Sequence, residues 1–281
     1  MSYFKHCLIT RFNIKHVNLS TNQTIDRVFE DSWIEERLTY FKNYCLPSVL
    51  NQNCNNFYWL VYLDIGTKDK YKKEFESLIK LSAYFSEVRY VDNVIAFIQD
   101  VRNFTSDLLT DKDEYLITTR LDSDDALHEN AISRLQSSLQ EHIKDIETEN
   151  KIALNLLCGY QFRVKPFYEL AWNKIPSNPF VSLVEKTNTN CDTVYTYFHN
   201  DLKGIKIFDI TDNFYWLQTV HSINMTTDVI GWPTLNLRRL KPFGFDLDNI
   251  HLNKLVILRT LYARLKFSLI PRIRLMSKLI K

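Results

Sequence analysis

Glycine is scarce in this 281-residue chain: five occur, at 66, 159, 204, 231 and 244, and no two lie close together. That spacing excludes the GxGxxG turn that cradles a dinucleotide and the GxxxxGK[ST] loop that wraps nucleotide phosphates. Any phosphate bound here must be neutralised by side chains, a metal ion or a helix N-terminus. Cysteine is equally sparse. The five thiols (Cys7, Cys45, Cys54, Cys158, Cys191) are odd in number and contain no CxxC pair, which argues against a disulfide framework and against half of a zinc site. Reduced thiols in the cytoplasm are the expectation. No run of about 18 uninterrupted apolar residues occurs, so no transmembrane helix is expected. The segment from Met1 to Arg11 lacks the apolar core and cleavage site of a secretory signal. Charge of one sign is also missing: 35 basic against 33 acidic residues leave a net +2, which argues neither for nor against nucleic acid; no such partner is expected.

What is present describes a folded chain. Hydrophobic residues make up 45% and aromatics 14%, a load that neither a disordered nor a fibrous protein carries. The length suits one large domain or two small ones. Strand-like and helix-like segments alternate. HCLITRF (6–12) reads as a strand; Ser32 and Glu35 form a capping-box pattern before the helical period of Trp33, Leu38, Phe41, Tyr44 and Cys45. Pro47 suits the first turn of a short second helix. FYWLVYL (57–63) is a buried strand entering a turn at Asp64, Gly66 and Thr67. Helical period follows over 70–85, strand over 88–91, helix over 94–109, strand over 115–121, and helix from Ala126 to about Glu149. Beyond Lys151, strands and aromatic loops prevail. This alternation predicts an α/β fold with a mostly parallel sheet flanked by helices. In such sheets ligands meet the C-terminal ends of the strands, which here carry Arg11, Asn13, Asp64, Asp92, Asp122, Asp124 and Asp125.

The strongest local signal is RLDSDDALH (120–128), placed directly after a buried strand. Three carboxylates within four residues repel one another unless a cation or hydrogen-bond donors offset the repulsion. A divalent ion meets that need. Capping of a helix starting near Ala126 would account for Asp124 or Asp125, and leaves Asp122 unexplained. An EF-hand is excluded, because the sixth and twelfth positions of a loop starting at Asp122 are Leu127 and Ser133.

A longer set of words carries a family resemblance: Trp33 with Arg37, YCLPSVLNQ (44–52), FYWLVYLD (57–64), TTRLDSDDAL (118–127), NPF (178–180) with LVE (183–185), TVY (193–195) with His199, and WLQ (216–218) with His221 and Asn224. Together they resemble the bacterial rhamnosyltransferase family, glycosyltransferases of the GT-A, family-2-like type, over roughly residues 8–225. The resemblance implies a GT-A fold over residues 1–249, with a nucleotide-sugar-binding half (1–130) and an acceptor half (131–249), ahead of a basic helical tail (250–281). It implies a nucleotide-sugar donor, dTDP-rhamnose or a UDP- or GDP-sugar, and a glycan or lipid-linked glycan acceptor in cell-surface polysaccharide synthesis.

It also implies residue roles. Asp64 matches the position that hydrogen-bonds the nucleoside. Asp122 and Asp124 match the DxD element that holds ribose and a Mn2+ or Mg2+ ion on the diphosphate, and Asp125 is a further donor-side contact. Arg120 and Arg11 offer guanidinium forks to base or diphosphate. His221 and His199 are candidates to complete the metal shell, imidazole suiting Mn2+ better than Mg2+. Inverting transfer requires a carboxylate base, and Glu185 and Asp192 are the acids available after the donor half. Trp172, Trp216 and Trp232 could be sugar platforms.

The tail stands apart. From Ile250 to Lys281 there are eight basic residues and no acid. After Pro271, Arg274, Lys278 and Lys281 fall on one helical face and Leu275, Met276, Leu279 and Ile280 on the other, a pattern suited to an anionic membrane surface and hence to a peripheral place on the inner face of the cell membrane. Two rival readings remain: a Mg2+ phosphohydrolase using AspSerAsp, and a non-catalytic, membrane-associated protein of the same fold.

Overall fold

The computed structural model describes residues 3–262 apart from 16, 19–22, 25, 188–189, 222–227, 249, 256 and 259. From β1 (Phe4–Arg11) the chain passes through a small hairpin, β2 (Val17–Asn18) and β3 (Gln23–Thr24), to α1 (Asp31–Tyr40). A π-helical turn, Phe41–Cys45, joins α1 to α2 (Leu46–Leu50). There follow β4 (Tyr58–Asp64), α3 (Asp69–Ile79), β5 (Ser86–Val91), α4 (Val94–Leu108) and β6 (Tyr115–Asp122). The second half contains β7 (Ala126–Leu127), α5 (Ala131–Glu141), α6 (Ile143–Glu149), β8 (Lys151–Leu156), β9 (Cys158–Arg163), β10 (Glu169–Lys174), β11 (Ser182–Lys186), β12 (Lys206–Ile210), β13 (Trp216–Val220) and β14 (Trp232–Pro233).

Seven strands form the main sheet in the order β12-β8-β11-β6-β1-β4-β5. Every neighbouring pair is parallel except those of β11, which runs antiparallel to β6 and β8. The mixed, mostly parallel α/β architecture read from the alternation is therefore present. The halves meeting near residue 130 share this sheet, because β8, β11 and β12 complete what β1, β4, β5 and β6 begin. A second sheet, β14-β10-β9-β13-β7, comes almost wholly from the second half.

Period-two alternation splits the strand side chains between two cores. Leu8, Trp59, Val61 and Ile117 pack with Ile34, Phe41, Phe75 and Leu135 of the helices on one face. Cys7, Ile9, Leu60 and Tyr62 pack with Phe97 and Val101 of α4 on the other. Covering both faces is why FYWLVYL is an unbroken apolar run. All five cysteines are free thiols.

Three local expectations give way. The capping box at Ser32 and Glu35 does not form: Glu30 is the N-cap and makes no side-chain cap bond, while Asp31 supplies the first-turn carboxylate favoured by the helix dipole. The helix expected from Ala126 begins at Ala131. Ala126 and Leu127 are instead paired with Leu217 and Trp216, so Asp124 and Asp125 cap no helix. Trp216 is no sugar platform, being fully buried and stacked on Phe180 at 5.1 Å. Trp172 and Trp232 stack on each other at 6.5 Å in the second sheet and are half-buried.

Early tail residues pack on the body: Ile250 and Ile257 are buried and the Asn253 N–H donates to the Tyr168 carbonyl at 2.9 Å. Leu255, Leu258 and Tyr262 are exposed. The two-faced pattern at 274–281 lies outside the described residues, as does Asn224. Among the described residues no helix is long and apolar enough to cross a membrane.

Gly159 of β9 lies opposite Trp216 of β13, and a Cβ there would fall 2.0 Å from the indole. Gly159→Ala should lower stability by about 1–3 kcal/mol or more, as overpacking does, measured by urea unfolding. His6 offers a pH handle. It is buried, with Nε2 2.8 Å from Thr119 Oγ1 and Gln136 Nε2 donating to Nδ1 at 3.3 Å, and burial pulls its pKa down to about 3. Between pH 6.5 and 3 the unfolded chain therefore binds the extra proton, so stability falls as pH drops through that window. His6→Gln should flatten this slope relative to the parent in unfolding curves taken across it.

Candidate active site

The turn Asp122–Asp125 joins β6 of the main sheet to β7 of the second sheet, and its acids face different surroundings. Asp122 is half-buried and aligned with Arg11 at the end of β1. Arg120, two residues earlier on β6, feels the charges of both. His199 is pushed below the ordinary histidine range by burial and by the Arg120 charge, with Asp122 opposing. Arg11, Arg120, Asp122 and His199 thus form one electrostatic neighbourhood. Beside it lies a cavity of about 150 Å³ that Arg11, Arg120, Phe97, Tyr195, Tyr197 and Phe198 help to line.

Asp124 faces the other way and is buried at 3% exposure. Arg37 of α1 donates from Nη1 to its Oδ2 at 2.6 Å and from Nε to Ser123 Oγ at 3.0 Å. His221, just after β13, places Nε2 2.9 Å from the same Oδ2 and stacks on Tyr40 at 3.9 Å. Its buried Nδ1 meets no partner among the described residues. Burial would raise the Asp124 pKa; the Arg37 charge and the His221 hydrogen bond outweigh it and hold the carboxyl below the usual range. Asp125 goes the opposite way, raised by burial and by the charges of Asp124 and Asp122. Its Oδ1 accepts the Thr219 N–H at 2.9 Å, and Thr219 Oγ1 donates to the Asp124 carbonyl at 2.8 Å. Asp125 therefore anchors β13 to the turn.

Asp64 reaches the same end of the sheet but is buried as a turn-builder. Its oxygens accept the Gly66 N–H at 2.8 Å and the Lys15 N–H at 3.3 Å, while Asn13 Oδ1 accepts the Asp64 N–H. Arg120 is likewise committed to backbone. Its guanidinium donates to the carbonyls of Val194 and Tyr197 and lies 4.6 Å from the Tyr195 ring, so it pins the strand-crossing segment 194–197.

Glu185 and Asp192 are not brought to the carboxylate turn. Glu185 stands opposite Leu116, six residues before Asp122 on β6, roughly 20 Å away at ~3.3 Å per strand residue. Its buried carboxylate accepts the N–H groups of Asp192 and Thr193, both at 2.9 Å. Burial raises its pKa against those bonds. Asp192 pairs with Lys151 at 2.5 Å and Arg102 at 3.0 Å, beside a separate cavity of about 440 Å³ flanked by the C-terminal part of α4. Both acids hold segment 191–197 against the sheet, and neither stands where a base for chemistry at Asp124 would be.

The site pairs a carboxylate with an imidazole, donor types that a divalent cation accepts. Asp124 Oδ2 and His221 Nε2 are hydrogen-bonded to each other at 2.9 Å, a bond that a cation held there would replace. Among the described residues no three His, Cys, Asp or Glu side chains form a metal-holding group. The protein would therefore supply few ligands and leave the rest to phosphate and water, the usual pattern for Mg2+. His199 belongs to the Asp122 side and His221 to the Asp124 side.

Sequence reasoning gave no role to Arg37, Tyr40, Ser123 or Thr219. Arg37 and Tyr40 share a helical face at i, i+3, which was the available signal, but nothing local pointed that face at Asp124. Glu185→Gln is expected to lower stability by about 1–3 kcal/mol, the cost of a mispaired buried group, while leaving turnover within a few-fold. Lost turnover at unchanged unfolding midpoint would restore a catalytic role.

The chain is similar to S. aureus TarS in two crystal structures. For TarS 1–349 the identity is 15% and the TM-score 0.40, covering 76% of this chain and 60% of that one. For the longer TarS the values are 14% and 0.42, covering 77% and 37%. It is also similar to a protein described as "putative nucleotide-diphospho-sugar transferase" from Desulfovibrio desulfuricans G20, at 7% identity and TM-score 0.36, covering 78% and 81%. Among curated proteins none matches. The family described as "Putative rhamnosyl transferase" matches residues 3–232, and the chain belongs to that glycosyltransferase family.

Proposed function

We propose that the chain is a metal-dependent, inverting glycosyltransferase of GT-A architecture. It takes a sugar from a nucleotide-diphosphate donor, with dTDP-rhamnose the first candidate and UDP- and GDP-sugars next, and delivers it to a glycan or lipid-linked glycan in cell-surface polysaccharide synthesis. Membership of the family supports the reaction class. The observation that carries the reading is the buried Asp124–His221 pair, 2.9 Å apart at the C-terminal end of β6, with Asp122 on the rim.

Bound Mn2+ or Mg2+ would supply positive charge to the departing diphosphate; Asp124 and His221 would hold it. The remaining work falls to the chain. Arg11, backed by the charge of the backbone-bound Arg120, makes the neighbouring cavity cationic and suited to phosphate oxygens. Phe97, Tyr195 and Tyr197 give that cavity apolar walls for a flat base or a sugar face. Asp64 acts in this scheme by shaping the turn at the end of β4, from which backbone groups can meet the nucleoside. The basic tail would dock the enzyme on anionic lipid at the inner face of the membrane, near a lipid-linked acceptor.

Binding and slow hydrolysis across a panel of nucleotide sugars, with Mn2+ or with chelator, tests the reading. One nucleotide class should bind only with metal. Asp124→Ala should weaken that binding by more than the roughly 10–100-fold typical of losing an outer-shell partner. Free phosphate released from simple phosphomonoesters would point to a phosphohydrolase, and no binding to any donor would leave a non-catalytic protein.

A further inference from the structure

Arg37 occupies the position where a cation is needed. Its Nη1 lies 2.6 Å from Asp124 Oδ2, the oxygen that His221 also faces. Both members of the ion pair are largely buried, with side-chain exposures of 14% and 4%. A carboxylate taken out of water is costly without a counter-charge, and Arg37 provides one in the protein as it stands. A dication on the same oxygen would meet the guanidinium as a like charge at short range in a medium of low dielectric. Metal and Arg37 therefore compete for Asp124.

We propose that Arg37 is a resident counter-ion that suppresses metal binding until the donor arrives, and then turns to the donor's diphosphate. The inference rests on the metal-site reading above. Two features of the geometry support it. Arg37 is tethered independently of Asp124 through Nε to Ser123 Oγ at 3.0 Å, with the Trp33 ring 5.8 Å away, so it can release the carboxylate without leaving the site. Among the described residues its Nη2 makes no hydrogen bond, which leaves part of the planar fork for phosphate oxygens. An anion that engages the freed guanidinium favours the metal-bound arrangement, and by linkage the metal favours the anion equally. Arg37 is thus a positioning residue that couples metal to donor.

The test is Mn2+ affinity by electron paramagnetic resonance and calorimetry, with and without UDP, GDP and dTDP, on the parent chain, Arg37→Gln, Arg37→Lys and Asp124→Ala. The parent should bind Mn2+ weakly alone and at least tenfold more tightly with its matching nucleotide. Arg37→Gln should bind Mn2+ alone at least tenfold more tightly than the parent and lose most of the nucleotide-induced gain. Arg37→Lys, which keeps the charge, should bind Mn2+ alone less tightly than Arg37→Gln. General damage to the fold would not raise metal affinity, so the gain separates coupling from a structural role. Mn2+ binding unchanged or weakened in Arg37→Gln, but lost in Asp124→Ala, overturns the coupling and leaves the metal site standing. Mn2+ binding that survives Asp124→Ala, or is absent throughout, overturns the metal-site reading and this inference with it.

Discussion

Burying acids in the turn that joins two sheets is the constraint on which the rest of the structure depends. β6 ends in Asp122, and after three intervening residues the chain enters β7, paired to β13. The turn can be buried only if its carboxylates are answered from elsewhere, since an unpaired buried charge costs several kcal/mol. Arg37 comes from α1, His221 from the end of β13, and Thr219 supplies backbone and hydroxyl donors. The same bonds that make Asp124 tolerable tie a helix and both sheets to one point. Stability and the candidate chemistry share these side chains.

That arrangement divides the acidic motif by function. Asp125 faces Thr219 and is spent on architecture. Asp124 is held low in pKa by Arg37 and His221 and so remains an anion in a dry setting. Asp122 keeps partial contact with solvent next to Arg11, Arg120 and His199. One turn thereby sets a buried carboxylate paired with Arg37 beside a half-buried one that borders Arg11 and Arg120.

Across the sheet face, segment 191–199 shows how polar side chains serve position rather than reaction. Glu185 fixes its start through two N–H groups, Thr118 Oγ1 accepts the Val194 N–H at 2.8 Å, and Arg120 takes the Val194 and Tyr197 carbonyls. These bonds climb β6 from its N-terminal part toward Asp122 and deliver His199 to the rim. A buried Glu and a buried Arg, both candidates for chemistry by type, are each satisfied by backbone groups that would otherwise be unpaired.

Much of the architecture was legible because it rests on local rules. Unbroken apolar runs such as FYWLVYL require cover on both faces, helical periods mark the connecting segments, and DSDD after a buried strand concentrates charge that needs a partner. Residue identity and near-neighbour spacing decide those features, so they can be read without coordinates. The helix expected at Ala126 failed because pairing with β13, distant in sequence, overrode local pattern. The base assigned to Glu185 failed for a related reason: an antiparallel strand inserted between β6 and β8 carries a late acid away from the C-terminal end of β6, and strand direction is not written in composition. Residue pattern alone accounts for the layers, the acidic turn and the supply of Arg and His. Which of them meet is settled by long-range folding, because a buried carboxylate selects its partners by distance across the fold, and contacts such as Arg37 with Asp124, 87 residues apart, leave no periodic trace along the chain.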